Sequence, residues 1–137
     1  MKKLKIVLCI SCLIVSLLSS CGKQEPILDL KKIDVSDISK VEHTGTTGGQ
    51  DGGYSYSLSE IESNEFIHLL NQVELGNAVD EKDALSYGAV SYYTLCYTDG
   101  ETLTISPGRY FKVRDTYYEF KNYDALWDKF MTFNSIY

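Results

Sequence analysis

Proline, histidine, tryptophan and usable cysteine pairs are all scarce in this chain. Its 137 residues include 2 prolines, 2 histidines and 1 tryptophan. His43 and His68 stand in different segments with no metal-ligand spacing around them, so no metal or cofactor is predicted. The residues after Ser20 contain no G-x-S-x-G, H-E-x-x-H or S-x-x-K pattern, and no enzyme activity is predicted. Basic residues are outnumbered, 13 Lys and Arg against 19 Asp and Glu for a net charge of −6, which gives no electrostatic footprint for nucleic acid. No apolar run is long enough to cross a bilayer as a stable helix; Ile6 to Leu18 is too short. The glycine-rich stretch Thr44–Gly53 lacks both the G-x-x-x-x-G-K pattern and any lysine or arginine, which excludes a phosphate loop and leaves a flexible hairpin connection.

What the chain does have begins at its start. A basic opening, Met1-Lys2-Lys3-Leu4-Lys5, leads into the apolar run and ends at Leu18-Ser19-Ser20-Cys21. That layout is a secretory signal segment. Its Leu-Ser-Ser-Cys ending resembles the lipobox of bacterial lipoproteins. The resemblance implies cleavage before Cys21, lipidation of the Cys21 thiol with palmitate-type acyl chains, and anchorage on the extracytoplasmic side of the cell membrane. The expected organisation is a signal peptide over 1–20, a tether over 21–28 and one domain over 29–137. Loss of Lys2, Lys3 and Lys5 with the signal would take the net charge from −6 to −9. Anionic headgroups would repel such a domain, so the acyl chains must do the anchoring.

Cleavage also settles the cysteine arithmetic. Cys9 and Cys12 leave with the signal, Cys21 carries lipid, and Cys96 remains without a bridging partner. Cys96 is expected to be a buried strand residue.

The domain reads as mixed α and β. Short alternating segments at Ile33–Val35 and Ser39–His43 suggest strands, followed by Tyr54–Leu58. Ser59 with Glu62 makes a capping box, and Phe66, Ile67, Leu70 and Val73 form the apolar stripe of the helix that follows, with His68 toward solvent. Val79–Gly88 reads as an acidic loop lacking a calcium-loop pattern. Ala89–Thr98 and Glu101–Ser106 flank Asp99-Gly100, a strong hairpin signal. Tyr110–Val113 and Tyr117–Phe120 flank Arg114-Asp115. Asn122 is expected to cap a closing helix with Tyr123, Leu126, Trp127 and Phe130 on one stripe and Trp127 as its core anchor.

The expected fold is α+β: an antiparallel sheet of five to six strands, in β-α-β-β-β-β-α order, with two helices on one face. The order resembles that of TATA-binding-protein-like domains in topology alone. Overall, the lipobox followed by an α+β domain with the hairpin Tyr97-Thr98-Asp99-Gly100 resembles small uncharacterised lipoproteins of low-GC Gram-positive bacteria, a class that implies no common activity.

Taking Asp99-Gly100 and Arg114-Asp115 as two-residue turns sorts the side chains. Val90, Tyr92, Thr94, Cys96, Leu103, Ile105, Phe111, Val113, Tyr118 and Phe120 fall to the core. Tyr93, Leu95, Tyr97, Tyr110 and Tyr117 fall to the helix-free face, the predicted partner-binding surface. The function this predicts is a membrane-anchored, non-catalytic binding or accessory module with an envelope protein as partner. The alternatives are a small envelope enzyme or a metal- or solute-binding lipoprotein.

Overall fold

A computed structural model describes residues 29–48, 52–85 and 90–134. Cys21, the signal and the tether lie outside the described residues.

Among the described residues, seven strands form one antiparallel sheet: β1 (Ile38–Thr46), β2 (Gly53–Ser57), β3 (Leu75–Val79), β4 (Val90–Tyr97), β5 (Thr102–Ser106), β6 (Tyr110–Val113) and β7 (Thr116–Phe120). Their spatial order is β2-β1-β4-β5-β6-β7-β3. Helices α1 (Glu60–Leu70) and α3 (Tyr123–Asn134) pack on one face, while α2 (Glu81–Ala84) is a single turn after β3. The α+β class is as expected, with more strands than the sequence suggested.

The extra strand is β3. Its Leu-Gly-Asn-Ala-Val composition hides it, since Gly and Asn are poor strand formers. Tertiary ties make it a strand. It pairs with β7, the Glu119 carboxylate accepts from the Asn77 N–H at 2.9 Å, and the Asn122 side chain bridges the Gln72 carbonyl and the Glu74 N–H at 2.8 and 2.9 Å. Asn122 therefore fastens the edge strand with its side chain, where the sequence suggested a helix cap. Ile33–Val35 is likewise not a strand. Asp29 and Asp34 accept from Lys31 and Ser36 N–H groups and hold two 3₁₀ turns, Leu30–Lys32 and Val35–Asp37.

Helix α1 starts as its sequence requires, with the reciprocal Ser59–Glu62 capping box formed. It buries Phe66, Ile67, Leu69 and Leu70 and leaves His68 exposed. In α3, Phe130 is fully buried, its ring 6.0 Å from each of Phe66, Phe111 and Phe120. Trp127 is only half-buried, stacked on Tyr123 at 5.1 Å. The core anchor of this helix is thus Phe130 rather than Trp127.

The largest correction concerns β4. The Tyr97 N–H donates to the Glu101 carbonyl at 2.8 Å, and the Gly100 N–H to the Tyr97 carbonyl at 3.0 Å. The hairpin loop therefore has three residues, Thr98, Asp99 and Gly100. Gly100 takes φ +92°, the left-handed position that a three-residue hairpin needs. One extra loop residue shifts the pairing by one and exchanges the faces of β4. Tyr93 and Leu95 pair with Ile105 and Leu103 in the core, fully buried, and Tyr97 packs against the same core. Tyr92, Thr94 and Cys96 turn to the helix-free face, where Cys96 is half-buried beside Lys40 and Thr102 rather than enclosed. Val90 shares that face. The Arg114-Asp115 turn does have two residues, so Phe111, Val113, Tyr118 and Phe120 face the core, and Tyr110, Lys112 and Tyr117 the open side.

Candidate functional site

Strand β1 alternates Val41, His43 and Gly45 toward the core, opposite Leu95, Tyr93 and Ser91 of β4. On its other flank, His43 and Gly45 lie opposite Tyr56 and Tyr54 of β2. This register puts an imidazole among three tyrosines. His43 is completely buried and stacks on Tyr93, with ring centroids 4.2 Å apart and planes at 14°. Its Nδ1 lies 2.8 Å from the Tyr56 hydroxyl and its Nε2 3.2 Å from that of Tyr54. A neutral imidazole has one donor and one acceptor, and the two hydroxyls satisfy both. Burial pushes its pKa down from 6.5 to about 4, which keeps the ring neutral near pH 7.

The network continues outward. The Tyr54 hydroxyl lies 2.8 Å from Ser91 Oγ. Tyr93, stacked on its far side against Phe66 at 4.2 Å, donates its hydroxyl to Asn134 Oδ1. Burial raises the Tyr93 pKa, so that hydroxyl stays a donor. Tyr54 can pack this way because residue 45 is glycine: a Cβ there would stand 2.5 Å from the Tyr54 hydroxyl and 2.1 Å from the Val90 carbonyl.

Tyr54, Ser91 and Asn134 also line a groove of about 700 Å³ around the β5–β6 turn. Aromatic rings dominate its walls. Tyr92, Tyr110 and Tyr117 come from the sheet, and Tyr123 and Trp127 from α3. Among the described residues, Arg109 is the only charged one in the lining, and no Asp or Glu is there. Its guanidinium carbon stands 5.1 Å from the Tyr123 ring centroid, a cation–π contact. Leu85 and Met131, two of the exposed large apolar side chains, are at the same groove. A larger cavity of about 1040 Å³ lies between Asp29–Lys32 and β3. Its lining mixes charges of both signs, Lys31, Lys32 and Lys121 with Asp29 and Glu74, and has a single aromatic residue, Tyr118.

Of the five residues predicted for a partner surface, Tyr110 and Tyr117 line the groove, while Tyr93, Leu95 and Tyr97 belong to the core side of β4. Sequence reasoning missed His43, Tyr54, Ser91, Tyr92, Arg109 and Trp127 as site residues. The alternation Val41-x-His43-x-Gly45 facing Tyr54-x-Tyr56 was a usable signal for the first two. Among the described residues, no group of three or more His, Cys, Asp or Glu could hold a metal ion.

Compared with known proteins, the chain matches no family model, no curated protein and no solved structure.

Proposed function

We propose that this chain is a lipoprotein anchored at Cys21 on the extracytoplasmic side of the cell membrane. Its domain acts as a non-catalytic binding module, with the aromatic groove as the binding site. One observation carries the reading: a concave, ring-lined groove whose described lining residues include six aromatic side chains and no carboxylate. Such clefts, mostly apolar with a few polar groups, are what ligand sites are built from. Tyrosine and tryptophan supply large, stiff contact area at small entropic cost. The rigid sheet beneath fixes their positions. The buried His43 network supports a holding role more than a chemical one. Both ring nitrogens are engaged by tyrosine hydroxyls, so neither faces a substrate directly to take its proton or attack it.

The test uses a photo-crosslinking amino acid placed in the full-length chain in intact cells. At Tyr117 it is expected to yield a discrete adduct, and at Glu65, exposed on α1, none. Equal labelling at both positions, or none at Tyr117, would reject the groove. The anchor is tested separately: Cys21→Ser should release the protein from the detergent phase, and retention there would reject lipidation.

A further inference from the structure

We infer that the groove binds a small apolar molecule carrying a single oxyanion, its body against the tyrosine and tryptophan rings and its charge on Arg109. The inference rests on the binding-module reading above and narrows it to one ligand chemistry.

Charge favours an anion. The chain is acidic, yet the described residues that line the groove include one cation, Arg109, and no carboxylate. A cationic ligand would meet Arg109 with nothing to neutralise it. An anionic ligand would meet no repelling group among the described lining residues. Arg109 takes part in no ion pair among the described residues. Its guanidinium stands over the face of Tyr123. A guanidinium over a ring face still has N–H groups to offer a carboxylate or sulfonate, which it can grip with two parallel hydrogen bonds.

Shape favours a small molecule with an aromatic body. Tyr123 and Trp127 stack at 5.1 Å with planes 22° apart, so two turns of α3 present one continuous aromatic surface beside that cation. Tyr92 and Tyr117 also line the groove, from the helix-free side of the sheet, with Ser106 on a strand between them. The enclosed space of about 700 Å³ lies within the range of roughly 300–1,000 Å³ that small-molecule sites occupy. Flat protein partners do not need such a cleft.

The test uses two probes of nearly the same size. 8-Anilinonaphthalene-1-sulfonate carries one negative charge, and N-phenyl-1-naphthylamine carries none. The chain has a single tryptophan, so one indole N–H resonance reports the groove without assignment ambiguity. Titration of the intact domain is expected to shift the Trp127 indole signal with both probes, with the sulfonate binding roughly tenfold tighter. Arg109→Gln should abolish that preference. Arg109→Lys should keep part of it, because the charge stays and the fork is lost. Arg109 is exposed, and neither variant disturbs the core. Equal affinities for the two probes, or a preference that survives Arg109→Gln, would overturn the anion inference and leave the groove reading standing. Failure of both probes to move the Trp127 resonance would overturn both.

Discussion

His43 lies flat on Tyr93 within the buried sheet face, one strand in from the β2 edge, and tyrosine hydroxyls rather than charged groups sit at both of its ring nitrogens. The ring is therefore held neutral by burial alone, with its pKa lowered to about 4 against 6.5 for a free side chain. A lowered histidine pKa makes the unfolded state the better proton binder between those two values. Stability from this group is complete above pH 6.5 and falls as pH drops toward 4. The full loss is up to about 3 kcal/mol. Urea melts at pH 7.5, 6, 5 and 4.5 should show the decline. Glu62, whose carboxyl is lowered by the Ser59 hydrogen bonds, loses its contribution at lower pH, as it titrates below the ordinary carboxylate range. His43→Phe removes the titrating group and should flatten the curve between pH 6.5 and 5. An unchanged slope in that variant would mean that another group sets the acid limit.

The two aromatic residues of the closing helix should differ sharply in their importance to the fold. Phe130 is fully buried and meets three phenyl rings edge-on, so Phe130→Ala is expected to cost about 3–5 kcal/mol. Trp127 touches Tyr123 and lines the groove but is only half-buried, so Trp127→Ala should cost about 1–2 kcal/mol. Chemical denaturation of the two variants checks the order. Equal losses would place Trp127 in the core after all.

Most of the architecture was legible where local chemistry and tertiary packing agree. Ser59 and Glu62 cap α1 as their spacing requires, and the apolar period of α3 places Leu126 and Phe130 inward. The Arg114-Asp115 hairpin kept its expected register because its loop is a simple two-residue turn. The failures came where a distant partner or one loop residue decides. β3 is a strand because β7, Glu119 and Asn122 make it one, and none of these is near it in sequence. At Asp99-Gly100 the two- and three-residue loops share the same dipeptide, and the choice between them inverts β4. Side-chain content held the answer. Leu103 and Ile105 need apolar partners, and Leu95 with Tyr93 offers more apolar area to bury than Cys96 with Thr94. The groove was only half legible, since Tyr110 and Tyr117 follow from the strand pattern. Arg109 and Trp127 reach it only through the folding of a turn and a helix against each other.

The corrected register makes a paired prediction. Tyr110 and Tyr117 stand on the helix-free side and line the groove, so Tyr110→Ser with Tyr117→Ser should leave the domain folded. Tyr93 and Leu95 are fully buried opposite Ile105 and Leu103, so Tyr93→Ser with Leu95→Ser should unfold it. Two large side chains lost from a core of this size would remove several kcal/mol, comparable with the whole stability of a small domain of roughly 5–15 kcal/mol. The first pair should also weaken binding of both aromatic probes, because it removes two walls of the groove while leaving Arg109 in place. Circular dichroism melts separate the pairs, and probe titration of the folded one reads the site. A folded Tyr93/Leu95 variant would mean that β4 presents its other face to the core. A Tyr110/Tyr117 variant that folds and still binds both probes with full affinity would move the site off the sheet and onto the α3 side of the groove.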